Sequence, residues 1–407
     1  MMRALRPAQP LGYYSGHVWR HRLQWSVVRP RILGLRLVHV ESIVKSDGEI
    51  KLPSNPLRIA FFGSDFFSVE SLDKLRELQL QEPRLIEQLD VITRPPKRAG
   101  RDRKQIRDTC VADYAVEHSM NVLRAETGQQ IDALAANKYN MAIAVSYGVM
   151  ISQTFLGTLQ YGGLNIHPSM LPSLAGAAPI HHALLNRQPF TGVTVQSLHP
   201  TEFDKGRILY QTPQIPIDAE NQSLDALSSQ LALIGACSLV KVLKEGRYID
   251  QSFSLPHNPL YPPSKAPKLV SSDKIVELSK QNVQDILLRF RVMGPQHFFI
   301  KCDEMKRKKV KKAGVTRRLI LSNLDNASTK YPGIENDPQI ASLELGQFAF
   351  ADSDRSLILR VKNGYLSAQN VLFEGYQASD IPAFRASLRK KGINYRPLQL
   401  LTTPPSS

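Results

Sequence analysis

A short apolar run, Leu57 to Phe62, ends in Gly63-Ser64-Asp65, and Leu72, Leu75 and Leu78 follow at helical spacing from Ser68. A strand, a tight glycine turn and an amphipathic helix open the doubly wound α/β architecture, because the helix must return across the sheet to cover it. Met141 to Ser146 is a second, continuous apolar run. It has no alternation, as expected of a central parallel strand buried on both faces. Leu89 to Thr93 reads as another strand, and a helix is expected around Ile131 and Leu134. The fold class is therefore a Rossmann-like α/β domain. Ligands in such sheets sit beyond the carboxyl ends of the strands, which makes Tyr147 and Gly148 candidates to line a cleft. There is no Gly-x-Gly-x-x-Gly fingerprint and no P-loop, so a nucleotide site is not supported.

The stretch from Gly162 to Leu209 carries the chemistry. Leu164 to His167 is a short strand with period-2 alternation, which puts Asn165 and His167 on one face and Leu164 and Ile166 on the other. Pro168 stops it, and a loop follows through Ser169-Met170-Leu171-Pro172-Ser173-Leu174-Ala175-Gly176. Pro179 starts a helix. Past a strand at Val193 to Gln196 comes Phe203-Asp204-Lys-Gly206. An amide, an imidazole and a carboxylate at strand ends suit the stabilisation of an oxyanion and the movement of a proton. His181, His182 and His199 are near in sequence, yet no His-Glu-x-x-His spacing occurs and adjacent helical residues diverge, so no metal is expected. A long helix, Leu224 to Leu243, closes the domain.

The formal charge of +16 is unevenly spread. Residues 1–40 hold seven Arg, no Lys and no acid, with Trp19, Leu23, Trp25 and Val27 interspersed. That pattern reads as a mitochondrial transit peptide and implies the matrix. The loop after Thr93 carries Arg94, Lys97, Arg98, Arg101, Arg103 and Lys104 against Asp102 alone. Such a loop fits the phosphates of a nucleic acid. No window of about eighteen apolar residues is seen, so no transmembrane helix or membrane partner is expected. Cys110, Cys237 and Cys302 are scattered and form neither a disulfide framework nor a zinc pattern.

Five prolines between residues 253 and 268 mark a linker. Asn282-Val-Gln-Asp285 caps a helix. Strand candidates follow at 297–301, 316–322, 346–351, 356–361 and 365–371, with a hairpin signal at Asn363-Gly364. Five short strands suggest a small OB-like β-barrel. Residues 301–318 carry a dense basic segment that includes Lys306, Arg307, Lys308, Lys309, Lys311 and Lys312. It is expected to hold nucleic-acid phosphate rather than read bases. The organisation is thus a transit segment (1–50), a catalytic domain (57–252), a linker (253–268) and a β domain (269–400), read as a monomer. Residues 323–345 have no assignment.

Asn165-x-His167, the Ser-Met-Leu-Pro run, Gly176-Ala-Ala-Pro-Ile and Phe203-Asp204-Lys-Gly-x-Ile-Leu together resemble the folate-dependent formyltransferases. The resemblance implies 10-formyltetrahydrofolate as donor and the methionyl group on initiator tRNA as acceptor. It implies that Asn165, His167 and Asp204 are catalytic and that Ser169, Met170, Leu171 and Pro172 touch the folate. It also implies that Arg101 and its neighbours grip the tRNA. One departure stands out. Members of the family have arginines flanking an aromatic residue before Gly-Ala-Ala-Pro, where this chain has Ser173, Leu174 and Ala175. Two rival readings remain: a formyltransferase acting on a small amine, and a non-catalytic RNA-binding protein on the same scaffold.

Overall fold

The computed structural model describes residues 50–405, apart from 100–103, 307–308 and 352–354. The expected transit peptide therefore lies outside the described residues. In chain order the first part runs β1 (Leu57–Gly63), α1 (Phe66–Gln81), β2 (Ile86–Thr93), a hairpin of β3 (Lys97–Ala99) and β4 (Gln105–Arg107), α2 (Cys110–Glu117) and β5 (Val122–Arg124). It continues through α3 (Gly128–Ala133), β6 (Met141–Val145), α4 (Gln153–Gly157), β7 (Gly163–His167), α5 (Pro179–Leu185), β8 (Phe190–Thr191), β9 (Thr194–Ser197), β10 (Ile208–Gln211), β11 (Ile215–Pro216) and α6 (Leu224–Lys244).

Seven of these strands form one sheet in the order β10-β9-β7-β6-β1-β2-β5. Strands β7, β6, β1, β2 and β5 are parallel, as the apolar runs predict. The edge differs from a purely parallel expectation, because β9 runs antiparallel to β7, and β10 antiparallel to β9. This reversal sets Gln196 directly beside Asn165. Helix α1 begins at Phe66 with Asp65 as its cap, two residues before the expected start. Ser68 instead closes the capping box, its hydroxyl accepting from Asp65 N–H at 3.0 Å.

Helices α1 and α6 pack together on one face. Gly235 of α6 lies so close to the sheet that a Cβ there would come within 2.8 Å of Ile166 Cγ2. Ile166 therefore faces α6, and Asn165 and His167 face the other way. By length and composition α6 is apolar enough to cross a bilayer. Its apolar residues, among them Leu227, Leu231, Ile234 and Leu239, are buried in the protein core. The opposite face of the sheet is covered by a cluster that includes Phe62, Ala144, Tyr147 and Phe155.

The second part holds α7 (Val283–Met293), β12 (Gln296–Lys306), β13 (Lys309–Asn326), β14 (Phe348–Ala351), β15 (Ser356–Val361), β16 (Gly364–Phe373), β17 (Ser379–Asp380) and α8 (Ile381–Ala386). The expected caps of α7 are present: Asn282 accepts from Asp285 N–H at 3.0 Å and Asp285 accepts from Asn282 N–H at 3.1 Å. The antiparallel order is β12-β13-β16-β15-β14. Its two free edges are joined by the C-terminal segment. Leu401 N–H donates to Phe299 O at 2.7 Å, Phe348 N–H donates to Leu398 O at 3.0 Å, and Leu400 N–H donates to Gly346 O at 2.8 Å. Closure of this kind satisfies edge groups that would otherwise be open to other chains. The unassigned stretch 323–345 completes β13 and then forms two short helices, Ala327–Lys330 and Pro338–Ala341. Ala327 and Ile340 cover Ala349, Ile358 and Tyr365 on the outside of the barrel.

Candidate active site

His167 ends β7 and is 5% exposed. Its Nδ1 lies 3.3 Å from Asp204 Oδ1. Asp204 is reached by the loop after β9, which folds back over the sheet. Its backbone is left-handed, with φ of 57°. The carboxylate collects two further donors: Gly176 N–H to Oδ2 at 2.8 Å, and Gln196 Nε2 to Oδ1 at 3.1 Å. Asn165, one residue pair away on the same face, is half-buried. Its side-chain amide makes no hydrogen bond among the described residues, so its donors are available to a ligand. The sequence predicts a trio. The structure brings all three together, with Asn165 open and the other two held by the protein.

The second nitrogen of His167 is also engaged. A His167 that donates directly to a substrate needs Nε2 free, and here Nε2 is 3.0 Å from Leu174 O. Both ring nitrogens thus lie beside oxygen atoms of the protein. Leu174 sits in the left-handed region with φ of 56°, which aims its carbonyl at the ring. Residues of the expected linker hold it there. Ser264 Oγ accepts from Leu174 N–H at 2.9 Å and lies 3.2 Å from Ser173 Oγ. Ala175 N–H donates to Ser264 O at 2.9 Å, and Ala266 N–H donates to Ala175 O at 2.8 Å. Gly176 packs on the same segment, where a Cβ would stand 2.5 Å from Ala266 O. The positions that lack the family's arginines are thus tied down by main-chain bonds and two serines.

Among the residues expected at the folate, Ser169, Met170 and Leu171 are buried, and Pro172 is half-buried. Ser169 Oγ donates to Ser173 O at 2.6 Å. Leu171 N–H donates to Thr194 Oγ1 at 3.1 Å, and Leu171 O accepts from Gln211 Nε2 at 2.8 Å. Met170 fills the space left by Gly192, where a Cβ would meet its sulfur at 2.3 Å. These side chains shape the loop from inside. Tyr147 is also turned inward: its ring meets Phe62 edge to face at 5.2 Å and its hydroxyl donates to Ala125 O. Burial pushes that hydroxyl up to about 12, so it stays a donor. The residues on either side of Tyr147, Ser146 and Gly148, are exposed, and both have positive φ. No group of three or more His, Cys, Asp or Glu that could hold a metal ion occurs among the described residues.

The formyl transferase family pattern matches residues 57–243, which contain this whole trio. Methionyl-tRNA formyltransferase from Ehrlichia chaffeensis is 32% identical over 274 residues, covering 66% of this chain and 84% of that protein. The chain belongs to the methionyl-tRNA formyltransferase family. Another member, the mitochondrial methionyl-tRNA formyltransferase of Saccharomyces cerevisiae, is 28% identical over 384 residues, with 83% of this chain and 91% of that one aligned. A substituted variant of HypX from Aquifex aeolicus shares the fold, with a TM-score of 0.51 and 12% identity over 82% of this chain and 48% of that chain.

In this family member the basic segment after Thr93 contains two short strands that pair antiparallel, Lys97 with Arg107 and Arg98 with Ile106. Arg98 and Lys104 are exposed on it; Arg101 and Arg103 lie outside the described residues. The second basic segment is also a hairpin, β12–β13, with Lys306 opposite Lys309. Lys311 and Lys312 are exposed there, Lys311 beside Glu304 at 3.1 Å. Arg307 and Lys308 lie outside the described residues, as do the side chains of Lys306 and Lys309. Sequence reasoning missed Gln196, Ser264 and Leu174. Each acts across a loop or a strand pairing, and only the two-residue register of β9 could have flagged Gln196.

Proposed function

We propose that this chain transfers the formyl group of 10-formyltetrahydrofolate to the amino group of initiator methionyl-tRNA in the mitochondrial matrix. The observation that carries the reading is the open Asn165 amide beside a buried His167–Asp204 pair at the carboxyl end of β7. The amine nitrogen attacks the formyl carbon, negative charge grows on the formyl oxygen, and the bond from carbon to the folate nitrogen then breaks. Asn165 donates to that oxygen from the outset; a single donor of this kind is worth about 10²–10³ in rate. The Leu174 carbonyl occupies Nε2 as an acceptor oxygen would, and it yields to the formyl oxygen as the donor enters. Asp204 orients the ring and passes the proton lost by the amine toward the departing folate nitrogen. A free α-amino group titrates near about 7.7–8.0, so no strong base is required.

Residues 57–252 would be the catalytic domain, and 269–400 the part that holds tRNA. The exposed residues Ser146 and Gly148 leave room for a planar donor, because a Cβ built on Gly148 meets nothing within 4 Å. Two basic hairpins support a polyanionic acceptor over a small amine. Neutralising Lys306, Arg307, Lys308, Lys309, Lys311 and Lys312 is expected to weaken tRNA binding and to lower the slope of log K against log salt by about one for each phosphate no longer neutralised. A slope unchanged in filter binding across a salt series would remove this segment from the interface.

The deciding assay combines the purified protein, labelled 10-formyltetrahydrofolate and charged initiator tRNA, with glycinamide nucleotide and an amino sugar nucleotide in parallel. Label is expected on the tRNA alone. Label on a small amine, or on nothing, overturns the assignment.

A further inference from the structure

Gln196 is 1% exposed, lies in register with Asn165 on β9, and belongs to no group already given a role. Its two side-chain polar atoms are both engaged with the turn that carries Asp204. Oε1 accepts from Gly206 N–H at 3.2 Å, and Nε2 donates to Asp204 Oδ1 at 3.1 Å. Since a backbone N–H can only donate, the atom facing Gly206 must be the oxygen, which fixes the nitrogen on Asp204. The turn needs such a holder. Asp204 is left-handed, an uncommon conformation for a residue with a side chain. The chain then passes Ser197 at Gly206 without room for a Cβ.

We infer that Gln196 is a positioning residue, which clamps the 204–206 turn from both ends and sets the carboxylate against His167. It touches no reacting atom. The inference rests on the reading of Asp204 and His167 given above. The titratable group bonded to Gln196 is Asp204, which in turn lies beside His167. The Gln196 amide supplies a neutral donor to Oδ1, the same carboxylate oxygen that His167 Nδ1 faces. A glutamate in its place keeps the shape, and when ionised it removes the donor and sets two carboxylates together. When protonated, that glutamate can donate again.

The test uses the full chain and two variants. Gln196→Ala is expected to lower kcat about tenfold to a hundredfold, the range for losing a hydrogen bond to a charged group, with KM for donor and tRNA within about twofold. Gln196→Glu is expected to show a deficit that shrinks as pH falls from about 8 to 6, a dependence that a purely structural loss would not produce. In the substrate-free protein, Gly206 N–H is expected to exchange faster in Gln196→Ala than in the unchanged chain. Wild-type kcat in Gln196→Ala, or a deficit in Gln196→Glu that ignores pH, overturns the inference. Should the unchanged protein transfer no formyl group at all, the proposed reaction falls, and Gly206 exchange then decides: unaltered exchange sinks the positioning role.

Discussion

His167→Ala is expected to lower formyl transfer by about 10³-fold or more while the protein stays folded. Losing an oxyanion donor costs about 10²–10³ in rate, and Asp204 also loses the ring through which it acts, so both effects are lost together. Removal of the ring leaves Asp204 Oδ1 with Gln196 as its remaining side-chain donor, and leaves Leu174 O without its ring partner. The loop should nonetheless keep its place, because Ala175 and Ala178 stay bonded to residues 264–266. Single-turnover transfer with saturating donor reads the first effect, and thermal unfolding with tRNA titration reads the second. Undiminished turnover in this variant would take His167 out of the reaction.

Gly206→Ala is expected to be the most damaging single methyl group in the site. Its Cβ would fall 1.7 Å from Ser197 O and 2.7 Å from Ser197 C, and neither atom belongs to a flexible side chain. One backbone must move, which pulls Gly206 N–H off Gln196 and shifts Asp204. Overpacking against a fixed neighbour costs about 1–3 kcal/mol in stability. A displacement near 1 Å at a reacting pair costs about 10² in rate. Urea unfolding and kcat measured on the same preparation check both. A variant with unchanged midpoint and unchanged kcat would mean that the turn has slack the structure does not contain.

Much of the fold could be read before any coordinates. Leu57 to Phe62 and Met141 to Val145 have the unbroken apolar character that only doubly covered strands tolerate, and both are parallel neighbours in the sheet. Asn282 and Asp285 form their capping box because short polar side chains at that spacing satisfy the first amides of a helix. The antiparallel edge was not legible, since a strand of four residues such as β9 carries no mark of its direction. Nor was the pairing of residues 97–99 with 105–107 legible, because main-chain bonds make it and the cations there give no sign of it. At the site, residue types and a family resemblance pointed to Asn165, His167 and Asp204. They could not anticipate that Leu174 O would sit on the imidazole, because a left-handed leucine is a conformation no propensity suggests.

The proline-rich segment, read from sequence as a linker, lends Ser264 and Ala266 to the loop beside the imidazole. Nicking the chain between residues 262 and 264 would therefore separate that brace from the loop it holds. Each half could keep its own core, yet the catalytic half would lose the brace that fixes its loop. Fragments that are separately well folded, but inert until mixed again, are the behaviour this wiring implies.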